Sequence, residues 1–436
     1  MSRLFVRRSA TAVGIYLSVA LGFAATVVAG RQMSQREFGD YATVVFATGF
    51  FQALFDLTVE EALVKYGFRY VAREDWGRLR RLFQSAFGFK LSGSTLGGVG
   101  MVVFAFLGPH RLQAPMLVAS AIPLGQSLEG LAGSALYLRG RYDIRSGFLV
   151  WSMLLRLAGI AIGAHFGLVQ TIVGVLIAQA VSTASVGAAG WLAFHRFPSS
   201  PARALGEDLR PILKFFAQSS VGTGVISLRS GLVPLVLGAV TSTRQVGLFK
   251  IAQAPQSGFL ALSAPARMVL LTEQTRDWEG GRQEAVLRGV RRYTKIAALL
   301  MLVAVPPLLY WMPDLVKLVY SPRYAEAGNA ARVFLGVAAV QMLVGWTKSF
   351  PVAVGRPQLR ISTHGVESLV ILPLVVPLGI YFGATGAAFA VFAGMCAFAL
   401  MWAVIFVRTK PDDVVQPPPL DEAIAQEDGE AEVLAR

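Results

Sequence analysis

Cysteine, histidine and charge are all scarce in this sequence. One cysteine, Cys396, stands in a chain of 436 residues. It lies inside an apolar run, so an intramolecular disulfide is excluded and a cysteine-based metal cluster with it. The four histidines are scattered, and no metal or other cofactor is expected. Nucleotide and metal-site motifs are missing. Gly97-Gly98-Val99-Gly100 lies within an apolar stretch and reads as helix packing, not as a phosphate loop. Charged residues make up 15% of the chain, against roughly 25% in an average soluble protein. A soluble globular domain is therefore the wrong class.

What the chain has instead is apolar length. Hydrophobic residues reach 54%, the mean hydropathy is +0.56, and runs of about 20 apolar residues, enough to cross a bilayer core, recur throughout. The net charge of +14 would suggest nucleic acid on a soluble protein. Here basic loops on the cytoplasmic side explain it, and no nucleic-acid partner is expected. The start, SRLFVRRSATAVGIYLSVALGFAATVVAG, resembles a signal peptide, but its apolar part is too long and more spans follow; it reads as an uncleaved first helix.

The expected fold is all-α: a polytopic membrane protein of about twelve transmembrane helices in two six-helix lobes around a central cavity. Spans are placed at about Ser9–Gly30, Gly39–Val64, Leu82–Leu107, Ala114–Leu138, Gly147–Phe166 and Leu168–Phe194. The second set is about Leu209–Val240, Val246–Leu270, Val290–Trp311, Asn329–Phe350, Arg360–Phe382 and Ala384–Val407. Arginines crowd alternate loops, for example Arg69, Arg73, Arg78, Arg80 and Arg81, which puts both termini in the cytoplasm. Residues 1–200 form the first lobe and 201–410 the second. Residues 411–436, proline-rich and then acidic, form a cytoplasmic tail expected to be disordered.

The halves echo each other. R-E-F-G-D-Y, from Arg36 to Tyr41, opens span 2, and R-Q-V-G-L-F, from Arg244 to Phe249, opens span 8. Asp75-Trp76 matches Asp277-Trp278, Gly140-Arg141 matches Gly355-Arg356, and Phe166-Gly167 matches Phe382-Gly383. Six spans separate the copies, so the lobes share one orientation about an axis along the membrane normal.

These segments carry a family resemblance. R-E-F-G-D-Y, the end of span 2 (L-F-D-L-T-V-E-E-A-L-V-K-Y) and V-G-L-F-K-I-A-Q in span 8 resemble the recurring "FG-x-aromatic", "lDlG…al-x-r-y" and "vG-x-Y-x-iA" patterns of one group. That group is the polysaccharide-transporter (O-antigen flippase) branch of the multidrug/oligosaccharidyl-lipid/polysaccharide exporter superfamily. The resemblance covers about Ser2 to Arg408. It implies a bacterial cytoplasmic-membrane flippase for polyprenyl-diphosphate-linked oligosaccharide, working by alternating access in lipopolysaccharide or other envelope polysaccharide biosynthesis. The implied partners are the lipid-linked oligosaccharide, membrane lipid and a glycan polymerase. Two positions depart: Thr58 replaces the usual glycine after "lDl", and Arg229 stands in span 7 where relatives often carry an aspartate. No coupling-ion mechanism is therefore carried over.

Ionisable residues inside spans are costly and mark cavities or partners. Asp56, Glu129, Arg156 and Glu367 are placed in the cytoplasmic half as an ion network that could couple transport to ions, with Arg156 paired to Asp56 or Glu129. Glu60 and Glu61 are placed near the interface, with Glu61 reaching Lys65. Arg229 and Lys250, helped by Gln218, Gln253, Ser257 and Arg31, are read as a cationic substrate site for a diphosphate. The competing reading has Lys250 snorkelling outward and Arg229 paired with an acid of the first lobe. A drug exporter of the same fold would want an acidic, aromatic pocket. A glycan polymerase or ligase would want a sizeable outer loop, and the longest here runs only from about Met312 to Gly328. The chain is therefore not expected to be an enzyme.

Overall fold

The computed structural model describes residues 3–55, 59–227, 231–263, 270, 274, 277–278, 282–353 and 358–408. Its regular elements are helical throughout. The first half runs α1 (Arg3–Gln32), α2 (Gln35–Phe55), α3 (Val59–Ala72), α4 (Trp76–Leu107), α5 (His110–Ala119), α6 (Ile122–Leu138), α7 (Tyr142–Gly163) and α8 (Leu168–His195). The second half runs α9 (Leu209–Ser227), α10 (Val233–Val240), α11 (Thr243–Ala252), α12 (Ala254–Leu262), α13 (Gln283–Val319), α14 (Ala327–Leu343), α15 (Phe350–Ala353) and α16 (Gln358–Arg408).

Six of these helices are each long and apolar enough to cross a membrane. The number of passes is larger, for two reasons. Helix α16 has 51 residues, about 77 Å of helix, more than twice a bilayer core of about 30 Å. It doubles back at Gly383, whose φ of 58° only glycine adopts at no steric cost. Other passes are assembled from shorter pieces: α2 with α3, α5 with α6, α9 with α10, α11 with α12, and α14 with α15. Pro123, Pro234 and Pro255 each stand at the first or second position of the later piece, where a missing N–H costs nothing. Among the described residues this makes twelve passes in two six-helix lobes.

In the sequence the turns after successive passes are alternately rich and poor in arginine, which defines an arginine-rich and an arginine-poor end. The matched repeat pairs Asp75/Asp277 and Gly167/Gly383 lie within the described residues. Asp75 caps α4, accepting from the Arg78 backbone N–H at 3.1 Å, while Asp277 takes the Arg282 side chain at 2.8 Å. Gly167 and Gly383, the paired turn glycines, both have positive φ. Gly355-Arg356 and residues 411–436 lie outside the described residues.

The lobes meet at the arginine-poor end, where α2 packs on α11. The repeat-equivalent glycines Gly39 and Gly247 touch there. A Cβ on Gly247 would lie 3.0 Å from the Gly39 Cα, and one on Gly39 would strike the Thr243 carbonyl. A pseudo-twofold axis must pass close to equivalent residues that touch. Around them, Phe38 meets Tyr324 with ring centroids 5.6 Å apart, and Phe46 meets Phe249 at 6.3 Å. The start of α2 is fixed by a capping box: Glu37 accepts from the Ser34 N–H at 3.0 Å, and Ser34 Oγ accepts from the Glu37 N–H at 3.3 Å. The bond from the Ser34 backbone, with that from its hydroxyl, holds the Glu37 carboxyl below its ordinary pKa.

Candidate functional site

A cavity of about 780 Å³ lies between the lobes, walled by α1 on one side and by α11, α12 and α13 on the other. Apolar side chains such as Phe23, Phe259, Leu308 and Met312 form most of its wall. Lys250, Gln253 and Ser257 also line it. They share one face because they recur at three- and four-residue spacing across the α11–α12 joint. The Lys250 ammonium stands 4.8 Å from the centre of the Phe46 ring, a contact across the lobe boundary.

Arg156 belongs at this level, not in the arginine-rich half where hydropathy put it. Helix α7 begins at Tyr142, five residues before the expected span, so Arg156 lies about 21 Å from that end and about 10 Å from the other. Lys250 is also about 10 Å from the arginine-poor end of α11. Arg156 interacts electrostatically with both Lys250 and Tyr41. Its hydrogen-bond partner is Gln179, at 3.4 Å. Among the described residues neither Arg156 nor Lys250 forms a salt bridge with a carboxylate.

Glu129 takes a different partner from the one expected. Arg145 pairs with it at 3.3 Å, and Gln179 and Ser182 donate to its other oxygen at 2.9 and 3.1 Å. Gln179 thus stands between Glu129 and Arg156, and the direct pair is Glu129–Arg145. Removing one member of a buried pair typically costs about 3–5 kcal/mol. Arg145→Leu should therefore lower the melting temperature of the purified protein strongly, and Glu129→Gln in the same chain should restore part of the loss. No recovery in the double variant would refute the pairing.

A second ion pair was not foreseen. Lys90, 2% exposed, binds Glu60 at 2.7 Å. Helix α3 continues to Ala72, well past the expected end at Val64, so Glu60 is about 18 Å deep rather than interfacial. Glu61 is exposed and interacts electrostatically with Arg360 of the other lobe. Lys65 places its ammonium 4.5 Å from the centre of the Phe215 ring. Glu367 is fully buried and lies 2.9 Å from the His364 ring, which stacks on Phe398.

Arg31 is not a lining residue of the cavity. Its guanidinium donates to the Leu318 and Val319 carbonyls at the end of α13, at 2.6 and 2.7 Å. Arg323 returns the arrangement by donating to the Gly30 and Arg31 carbonyls at the end of α1. Each cation thus satisfies helix carbonyls of the opposite lobe. Asp56, Thr58 and Arg229 lie outside the described residues, and Gln218 lies on α9 with its side chain outside them.

Neither a family model nor a curated protein sequence matches the chain. Solved structures do. An inward-facing multidrug resistance MATE family transporter of the MOP superfamily is 15% identical with a TM-score of 0.66, covering 93% of this chain and 94% of that one. A MOP superfamily transporter from Pyrococcus furiosus, described by a binding pocket of reverse polarity that suggests a different function, is 13% identical with a TM-score of 0.62, covering 92% and 96%. The lipid II flippase MurJ, in an inward closed conformation, is 11% identical with a TM-score of 0.56, covering 92% and 87%. The chain has the fold of the MOP superfamily transporters. At these identities the likeness extends to the fold alone.

Proposed function

We propose that the chain is a flippase that carries a polyprenyl-diphosphate-linked oligosaccharide across the bacterial cytoplasmic membrane by alternating access, and that it is not an enzyme. The observation that carries the reading is the pair Arg156 and Lys250. One comes from each lobe, at one depth: Lys250 lines the cavity between the lobes, Arg156 interacts with it electrostatically from α7, and among the described residues neither bridges to a carboxylate. Two such cations suit a diphosphate that must exchange its hydration for fixed donors. An organic-cation exporter of the same fold would be poorly served by them, although the apolar wall would suit its substrates. A glycan polymerase or ligase remains the weakest fit. In this reading residues 1–200 and 201–410 are the rocking lobes, 411–436 is a cytoplasmic tail, and the arginine-rich end faces the cytoplasm. A glycan polymerase is the partner on the far side.

Depletion in living cells tests the cargo: an oligosaccharide on its diphosphate carrier should accumulate on the cytoplasmic leaflet. Unchanged lipid-linked glycans, with a lost export of organic cations, would favour the exporter. Orientation has its own test. Single cysteines replace Ser242 and Ser199, both exposed, in a Cys396→Ala background. An impermeant thiol reagent on intact cells should label position 242 and spare 199, and the reverse pattern would invert the topology.

A further inference from the structure

A second hollow, about 650 Å³, lies within the first lobe between α4, α6 and α8. It is separate from the cavity between the lobes and shares no residue with it. Its body is apolar, built by Phe83 and Phe87 of α4, Leu128 and Leu131 of α6, and Trp191 and Phe194 of α8. From His195 at its mouth to Thr183 at its floor the groove follows α8 for twelve residues, about 18 Å. That is close to the hydrocarbon depth of one leaflet, about 15 Å.

The mouth is cationic. Arg80 and His195 line it, and Arg81, Arg139 and Arg196 stand in the adjoining turns, exposed. Of the nearby acids, Asp75 is engaged by Arg78 at 3.5 Å, and Asp208 by Arg69 at 3.7 Å and Arg78 at 3.5 Å, while Glu74 and Glu207 beside them are exposed. Among the described residues Arg80 donates to the Ser200 carbonyl, at 3.0 Å, and pairs with no carboxylate. The guanidinium is held at the membrane surface above an apolar slot, with donors to spare.

We propose that this groove binds one anionic phospholipid from the leaflet at the arginine-rich end, with a chain along Phe83, Phe87 and Trp191 and the phosphate on Arg80. An apolar slot of leaflet depth under a cationic rim matches that molecule in length and in charge. A zwitterionic lipid satisfies the slot but brings its own cation to the rim. The floor also has a structural consequence. Thr183 donates to the Gly125 carbonyl and accepts from Gln179, at 2.9 and 3.1 Å. The lipid chain therefore ends against the polar network that holds Glu129 and Arg156.

Trp191 is 64% exposed in this groove and supplies the readout. The purified full chain in detergent micelles is titrated with dibrominated phosphatidylglycerol or dibrominated phosphatidylcholine. The Trp191 signal is taken as the difference between the wild type and Trp191→Phe. Half-quenching is expected at about fivefold lower mole fraction of the anionic lipid, and Arg80→Ala should remove that preference. Gly187→Leu, whose side chain enters open space in the groove, should weaken quenching by both lipids at Trp191 and at no other tryptophan. Equal quenching by the two lipids in the wild type would overturn the proposal, as would a preference untouched by both substitutions. Displacement of the brominated anionic lipid by polyprenyl phosphate but not by unbrominated phosphatidylglycerol would assign the groove to an isoprenoid chain and overturn it too.

Discussion

Gly39→Ala should lower transport about fivefold or more while leaving the amount of protein in the membrane near normal. The new methyl would meet the Thr243 carbonyl and the Arg244 backbone nitrogen, neither of which can rotate away. Overpacking of this kind costs about 1–3 kcal/mol, and the cost falls only on states in which α2 and α11 touch. A conformational equilibrium shifted by that amount moves by about fivefold to about 150-fold. Folding of each lobe is spared, because the contact lies between lobes. A cysteine at Phe46, which faces Phe249 across the boundary, should at the same time become more reactive toward an external thiol reagent. Full transport with unchanged reactivity at position 46 would show that closure at this end is not part of the cycle.

Arg156→Leu or Lys250→Ala should each lower transport about tenfold, and the two together by more than the product of a neutral background would suggest. Hydrogen bonds to charged groups contribute about 1.5–3 kcal/mol each, and a diphosphate left with no fixed cation keeps its hydration cost. Arg229, read from the sequence as a further member of the site, extends the series. Arg229→Ala should abolish transport at normal abundance, and Arg229→Lys should retain part of it, because lysine keeps the charge but loses the bidentate geometry. Surface glycan in a strain with no other flippase is the measurement, beside membrane abundance of every variant. Normal surface glycan in the Arg156→Leu, Lys250→Ala double variant would remove this pair from the site.

Much of the fold was legible because hydropathy and glycine placement are local signals. The match of Arg36–Tyr41 to Arg244–Phe249 pointed to two related lobes, and Gly39 lies against Gly247 where they meet. Phe382-Gly383 marked a turn inside what is otherwise one long apolar helix. Depth was read less well. Hydropathy ends a span where polar letters begin, yet α7 starts at Tyr142 and α3 runs to Ala72, so Arg156 and Glu60 came out too close to the arginine-rich surface. Partner choice was not legible at all. Lys90 sits between Phe89 and Leu91 in FGFKLSGST, which gives no hint of the carboxylate it meets. Arg145, near the start of α7, carries no sign in the sequence of Glu129, which it meets where α6 packs against α7. Arg31 was assigned by its end of the membrane, whereas its neighbours at the end of α13 are far away in sequence. Lys250, Gln253 and Ser257 line one cavity wall because their helical spacing survives the proline break between α11 and α12.

The most direct test of the account is translocation by the purified chain in proteoliposomes. A fluorescent short-chain polyprenyl diphosphate carrying an oligosaccharide is placed in both leaflets, and a membrane-impermeant quencher reports how fast the probe exchanges. Wild-type protein should accelerate exchange over protein-free vesicles, the Arg156→Leu, Lys250→Ala double variant should fall to the protein-free rate, and the same glycan on a neutral polyprenyl carrier should not be moved. Equal exchange of the diphosphate and neutral probes, or equal rates for the wild type and the double variant, would contradict an anion-binding site between the lobes.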